Sequence, residues 1–134
     1  MSDIKESQQR FVEEIQNQGR IEVVDELIAE NMVDHTPFPG LPADREGARQ
    51  TFEAIRAAFP DHDAEVVHMV ADGDLVATYK IFTGTHEGNF MGVPPTGREV
   101  TIRVMDFVRY RDGRIVEHWN IVDQAGLLRQ LGVA

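Results

Sequence analysis

The apolar positions of this chain change period once, near residue 60. Up to that point they recur at three- and four-residue intervals; beyond it they alternate. Ile4, Phe11, Val12 and Ile15 form the stripe of an amphipathic helix over residues 3–18, with Gly19 as its stop. Ile21, Val24, Leu27 and Ile28 predict a second helix, residues 20–29, packed on the first as a hairpin. Residues 32–35 lead into TPFPGLPAD, whose prolines and glycine forbid regular structure. A third helix over residues 45–59 follows, capped by Asp44 and ended by Pro60, with Ala48, Phe52, Ile55 and Phe59 on one face.

Residues 65–71 and 74–83 then read as strands flanking a hairpin signal at Asp72-Gly73. Leu75, Ala77, Tyr79 and Ile81 alternate with Val76, Thr78, Lys80 and Phe82, so one face is core and the other mixed. A long connection, GTHEGNFMGVPPTGRE, separates this hairpin from a second, TIRVMDFVRYRDGRIVEHWNIVD, which turns at Arg111-Asp112-Gly113. The chain closes on a short helix over residues 124–131, with Leu127, Leu128 and Leu131 inward. Helices first and antiparallel strands after them give an α+β fold, a curved antiparallel sheet with helices on one face. With no repeat, linker or low-complexity tract, residues 1–134 read as a single domain.

Two registers are open for the second hairpin. A type I turn followed by a bulge at Gly113 sets Val108 opposite Val116, Asp106 opposite His118 and Val104 opposite Asn120. A two-residue Asp-Gly turn shifts the pairing by one and brings Asp106 beside Glu117 and Trp119. The bulged turn is preferred, because it gathers Ile102, Val104, Val108, Val116 and Val122 on one face and leaves Met105, Phe107, Trp119 and Ile121 on the other. On that register Asp106, His118 and Asn120 interrupt an aliphatic surface.

Composition narrows the function classes. Apolar residues make up 42% and charged residues 27%, ordinary values for a globular protein. A formal net charge of −10 argues against nucleic acid and anionic membranes as partners, since both would be repelled. There is no cysteine, hence no disulfide or thiolate chemistry. The polar start MSDIKESQQRF and the lack of any apolar run of ~20 residues lead to the expectation of a cytoplasmic protein. The five histidines show no zinc-motif spacing, and no phosphate-binding fingerprint occurs.

The candidate chemistry lies in the second hairpin. A carboxylate on an aliphatic face is expected to titrate nearer neutrality, as a general base requires, which singles out Asp106. His118 orients Asp106 or shares its proton, or the two simply satisfy each other. Asn120 can donate to a developing oxyanion but cannot take a proton. Asp123 stands at a strand-to-helix junction, where it caps the last helix or faces the pocket as a further acid. Phe38, Phe59, Phe90, Met91 and Val93 read as pocket lining and lid, with Val104 on the pocket face.

GTHEGNFMGVPPTGR, the DFVRYRDGRIVEHWNIVD hairpin, the LLRQLG ending and the DHTPFPG and AFPD segments together resemble the SnoaL-like polyketide cyclase (ester cyclase) family of the nuclear transport factor two-like, or cystatin-like, superfamily. The resemblance covers nearly the whole chain. It implies a cone, or α+β barrel, with the N-terminal helices packed on the concave face around an apolar pocket, and a homodimer formed through the sheet. It also implies an enzyme without metal or cofactor, in which a pocket acid takes a proton from a carbon between carbonyls and an intramolecular aldol addition closes a ring. Carried across by position, the acid that often follows the strand Trp in the family is here Asn120, and a pocket His is here Asp106, so the resemblance leaves two readings: the acid has moved to the neighbouring strand, or no residue performs its role. His35, beside the Pro-rich loop, falls where family pockets often hold a polar residue. The expected partner is a small hydrophobic carbonyl-containing molecule. A non-catalytic ligand-binding protein, or an isomerase or hydrolase on the same fold, remains open.

Overall fold

The computed structural model describes residues 3–133. Asp3 accepts from the Lys5 N–H and starts α1, Ile4–Arg10, which runs without a break into a π-helical segment, Phe11–Asn17. Gly19, at φ 70°, ends it, because the left-handed conformation there carries no steric cost for glycine. Gln8, Phe11, Val12 and Ile15 are the buried residues of this continuous helix.

The second helix is shorter than the sequence predicts. A 3₁₀ turn, Ile21–Val23, and a single α-helical turn, α2, Val24–Leu27, give way to a strand, β1, Ile28–Asp34. Ile28 and Met32 point inward from it. Their four-residue spacing fits a helix as well as a strand, which is why the sequence pattern does not separate the two. The third helix, α3, Arg45–Ala58, is capped as expected, the Gly47 N–H donating to Asp44 Oδ1 at 3.1 Å. Such a cap stabilises a helix by about 1 kcal/mol.

Four further strands complete the sheet: β2, Asp63–Asp72; β3, Leu75–Thr85; β4, Glu99–Arg111; and β5, Arg114–Val122. The spatial order is β1-β5-β4-β3-β2, an open curved sheet with β1 parallel to β5 and the other pairs antiparallel. The helices cover its inner face, giving the expected α+β class, with a parallel edge strand that the sequence reading omits.

The β4–β5 turn combines features of both candidate registers. Asp112 and Gly113 both have positive φ, 52° and 80°, which makes a two-residue type I′ turn with Arg111 opposite Arg114. A bulge then leaves Val116 as the extra residue, between Ile115 opposite Tyr110 and Glu117 opposite Arg109. The bulge adds a second one-residue slip, which restores the parity of the faces, so Val108 faces His118, Asp106 faces Asn120 and Val104 faces Val122. The predicted pairings are therefore displaced by two residues while the face is retained, and Ile115 replaces Val116 as the buried residue. On β3 it is the mixed set, Val76, Thr78, Lys80 and Phe82, that faces inward, with Val76, Thr78 and Lys80 fully buried.

The core divides in two. One part gathers Val12, Ile15, Val24, Val76, Val108 and Ile115; the other gathers Phe59, Phe90, Val100, Ile102, Leu127 and Leu131. The β3–β4 connection is seated on the end of α3, where the Glu87 and Gly88 N–H groups both donate to the Ala58 carbonyl. A side chain at Gly88 would overlap the Ala57 carbonyl. This connection then folds a small hairpin, Phe90 paired with Val93 across Met91 and Gly92. Asp123 caps the last helix, α4, Gln124–Leu131, by accepting from the Gly126 N–H at 2.9 Å. No helix among the described residues is long and apolar enough to cross a membrane.

Candidate active site

Between the two parts of the core lies a cavity of about 380 Å³. Phe11, Ile15, Phe52 and Ile55 from the helices, Phe38 and Phe90 from the loops, and Phe59, Phe82, Ile102, Val104 and Val122 make most of its surface apolar. The aromatic rings brace one another edge to face: Phe59 with Phe90 at 5.3 Å, Phe59 with Phe82 at 5.6 Å and Phe38 with Phe90 at 5.7 Å between centroids.

One wall is charged. Asp106 projects from the middle of β4, with Lys80 from β3 and His118 from β5 on either side. The Lys80 ammonium contacts Asp106 Oδ2, and His118 Nε2 lies 3.1 Å from Asp106 Oδ1. The other ring nitrogen, Nδ1, lies 3.0 Å from Oδ1 of Asp34, at the end of β1. Thr36 completes the ring: its N–H donates to Asp34 Oδ1 at 3.0 Å and its hydroxyl accepts from the Asn120 N–H at 2.8 Å. Lys80 and Asp106 are all but sealed from solvent, their side chains 3% and 7% exposed. Burying four charges costs several kcal/mol per ion unless each is paired. Here two cations meet two carboxylates and the cluster is neutral.

That pairing sets the protonation states. Burial alone would push the Asp106 carboxyl up, but the Lys80 ammonium and the His118 hydrogen bond outweigh it and hold Asp106 well below the usual carboxylate range. The expected rise of Asp106 toward neutrality is therefore reversed, because the aliphatic face that predicted it also carries a lysine. Asp34 is likewise held down, burial being outweighed by His118 and the Thr36 donors. For His118, burial disfavours the charged ring, but hydrogen bonds to Asp106 and Asp34 raise it to about 9. Geometry agrees: only the imidazolium has two N–H donors to satisfy carboxylates on both sides.

The sequence profile of the SnoaL-like polyketide cyclase family matches residues 6–131. The chain belongs to this family. The nogalonic acid methyl ester cyclase of Streptomyces nogalater is 31% identical over 118 residues, 87% of this chain and 88% of that one. Among solved structures, wild-type IdmH from Streptomyces antibioticus superposes with a TM-score of 0.85 at 43% identity, covering 98% of this chain and all of that one. TsrD from Streptomyces laurentii shares the fold at TM-score 0.90 with 23% identity over the full length of both chains.

Within this SnoaL-like chain, the structure brings together Asp106, His118, Asn120, Phe38, Phe59, Phe90, Met91 and Val104 around one cavity. Asn120 sits directly opposite Asp106, and its side-chain amide makes no hydrogen bond to another described residue, which leaves it free for a ligand. Two candidates are placed elsewhere. Asp123 is engaged as the α4 cap and does not line the cavity, since the strand ends one residue before it and turns its carboxylate to the helix. His35 follows the last residue of β1 and lies outside the cavity, stacked on Trp119 at 4.5 Å and hydrogen-bonded to Glu117 Oε2 at 2.9 Å.

Three titratable groups of the wall, Lys80, Asp34 and His62, are not singled out by the sequence. Lys80 is one of alternating strand residues and looks solvated until β3 is paired. Asp34 is hidden because β1 reads as helix and loop. His62 carries no motif that marks it, yet it is buried at the cavity edge with Nδ1 3.0 Å from the Phe59 carbonyl. His86 is fully buried and holds the β3–β4 connection, its Nδ1 accepting from the Thr96 N–H at 3.2 Å. Among the described residues no group of three or more His, Asp or Glu side chains is arranged to hold a metal ion.

Proposed function

We propose that this chain is a cyclase that closes a ring in a small, largely apolar carbonyl compound by cofactor-independent acid–base chemistry of the aldol type. The observation that carries the proposal is the neutral Lys80–Asp106–His118–Asp34 cluster set in the wall of an otherwise apolar cavity. Asp106 is ionised and so ready to accept a proton from a carbon between two carbonyls. It is a weak base, and the deficit is offset by the field around it. When the proton moves to Asp106, one negative charge passes from its carboxylate to the substrate oxygen, and the net charge of the cavity is unchanged. Lys80 and His118, having lost their carboxylate partner, face the enolate instead, with the Asn120 amide as a further donor. The enolate carbon then attacks a second carbonyl of the same molecule, and the new alkoxide takes a proton from the His118 imidazolium. Asp106 returns its proton to His118, restoring the starting state.

The relative from Streptomyces nogalater is named for nogalonic acid methyl ester, which makes that compound the first probe. In heavy water the wild-type chain is expected to exchange the proton between its carbonyls for deuterium ahead of ring closure, followed by NMR. Tight binding without exchange or product would instead identify a ligand-binding protein with a structural ion cluster.

The second part of the proposal is a homodimer through the outer face of the sheet. Met105 is 54% exposed, Phe107 41% and Ile121 76%, and they are adjacent across β4 and β5 beside the half-buried Trp119. Contiguous apolar surface of this kind favours a protein partner, and a second copy offers the matching face. Ile121→Asp is expected to yield a monomer in light scattering with the cavity residues untouched; a wild type that is itself monomeric at micromolar concentration rejects this part.

A further inference from the structure

We infer that Gln16 is a positioning residue for the acid–base cluster: the π-helical segment turns its amide into the cavity, where it holds the Lys80 ammonium against Asp106. Gln16 Oε1 accepts from Lys80 Nζ at 2.9 Å and is the second protein group on that ammonium besides Asp106. Lys80 reaches it from the middle of β3 on a flexible four-carbon stem, whose terminal cation has no preferred direction of its own. One acceptor on each side fixes the direction.

The placement of Gln16 follows from the winding of its helix. Main-chain bonds in the segment span five residues, as from the Gln18 N–H to the Glu13 carbonyl at 3.0 Å, and Gln16, five positions after Phe11, lines the cavity with it. Isolated π-helical turns of this kind recur at functional sites. The end of the segment is also tied down from three directions. The Gln16 carbonyl accepts from His62 Nε2 and, at 3.3 Å, from Arg56 Nη2. Arg56 Nη2 further donates to the Asn17 carbonyl at 2.9 Å, and the Asn17 amide pairs with the Ala64 backbone of β2 through bonds of 3.0 and 2.7 Å. Carbonyls that the wider helix leaves free at its end are thus satisfied by Arg56 of α3 and by His62. Among the described residues the Gln16 amide, held in this way, has one polar partner, Lys80.

The inference rests on the acid–base reading of the same cluster for its consequence in catalysis, but its geometry is tested without turnover. The readout is the Lys80 ammonium signal in ¹⁵N-detected NMR of the ligand-free protein, which persists only while the group is hydrogen-bonded and shielded from exchange. It is expected to be visible in the wild type, lost to exchange in Gln16→Met, which keeps the volume and removes the acceptor, and restored in Gln16→Glu, which keeps the acceptor. With a turned-over probe, Gln16→Met is expected to lower kcat ~10-fold while KM stays within ~2-fold, the split that marks loss of a group acting on the transition state alone. An unchanged ammonium signal in Gln16→Met overturns the inference, as does its loss in both variants. A wild type that turns over no probe overturns the reading of the cluster as catalytic, and the NMR comparison still decides the role of Gln16.

Discussion

Asp106→Asn is expected to lower the unfolding free energy by ~3 kcal/mol at neutral pH and turnover ~1000-fold. The stability loss follows from breaking a buried pair on one side only, which leaves the other charge uncompensated. Lys80 is 2% exposed and would keep only Gln16 as a partner, while His118 would lose one of its two carboxylates. On the proposed mechanism the loss of rate follows from removing the group that accepts the carbon-bound proton, a step in which a positioned base contributes ~100- to 10,000-fold. The two effects separate in the double variant Lys80→Met, Asp106→Leu. Apolar replacements of similar volume remove both desolvated charges, so most of the stability should return in urea titration while turnover stays absent. Recovery of activity along with stability would mean that the pair serves only to hold the fold.

The second large effect is on pH. His118 is raised from its ordinary 6.5 to about 9, burial being outweighed by hydrogen bonds to Asp106 and Asp34, so the folded state binds this proton more tightly than the unfolded chain does. A raised folded-state value stabilises fully below about 6.5 and is lost as pH climbs through about 9. For a side chain 22% exposed, that displacement is worth ~3 kcal/mol. Asp34 and Asp106 work in the opposite sense. Both are held below the ordinary carboxylate range, so their contribution is present above pH ~4 and lost on acidification. Unfolding free energy from urea titrations should therefore be highest between pH ~5 and ~6.5 and decline toward pH 9. His118→Gln should flatten the alkaline side of that curve. The rate is expected to fall over the same alkaline range, because the imidazolium proposed to protonate the alkoxide disappears.

The fold was legible where local rules are strong. Caps at Asp44 and Asp123, the stop at Gly19 and the alternation in β3 and β4 each have a physical cause within a few residues. The face carrying Asp106, His118 and Asn120 was also readable, since side-chain parity survives a displacement of two residues. What local pattern does not contain is pairing over distance. β1 becomes a strand by running parallel to β5, more than 80 residues later, and only that pairing brings Asp34 to His118. Lys80 faces Gln16 from 64 positions away and meets Asp106 through the β3–β4 register. A lysine among alternating residues reads as solvated, so the charge that reverses the acidity of Asp106 is invisible until the sheet is assembled. Asp123, next to the pocket in sequence, is drawn away by a local partner, the α4 N-terminus, and His35 by Trp119 and Glu117 across the long-range β1–β5 pairing.

The site depends on His118 as an imidazolium clamped between Asp34 and Asp106 in the cavity wall. The most direct test of this clamp is an NMR pH titration of the His118 ring nitrogens in the ligand-free protein. Both nitrogens are expected to carry protons through neutral pH, with a midpoint near 9, and the midpoint should fall when Asp34 or Asp106 is replaced by its amide. A neutral ring at pH 7 that titrates near its ordinary value of 6.5 and does not respond to either replacement would contradict the account.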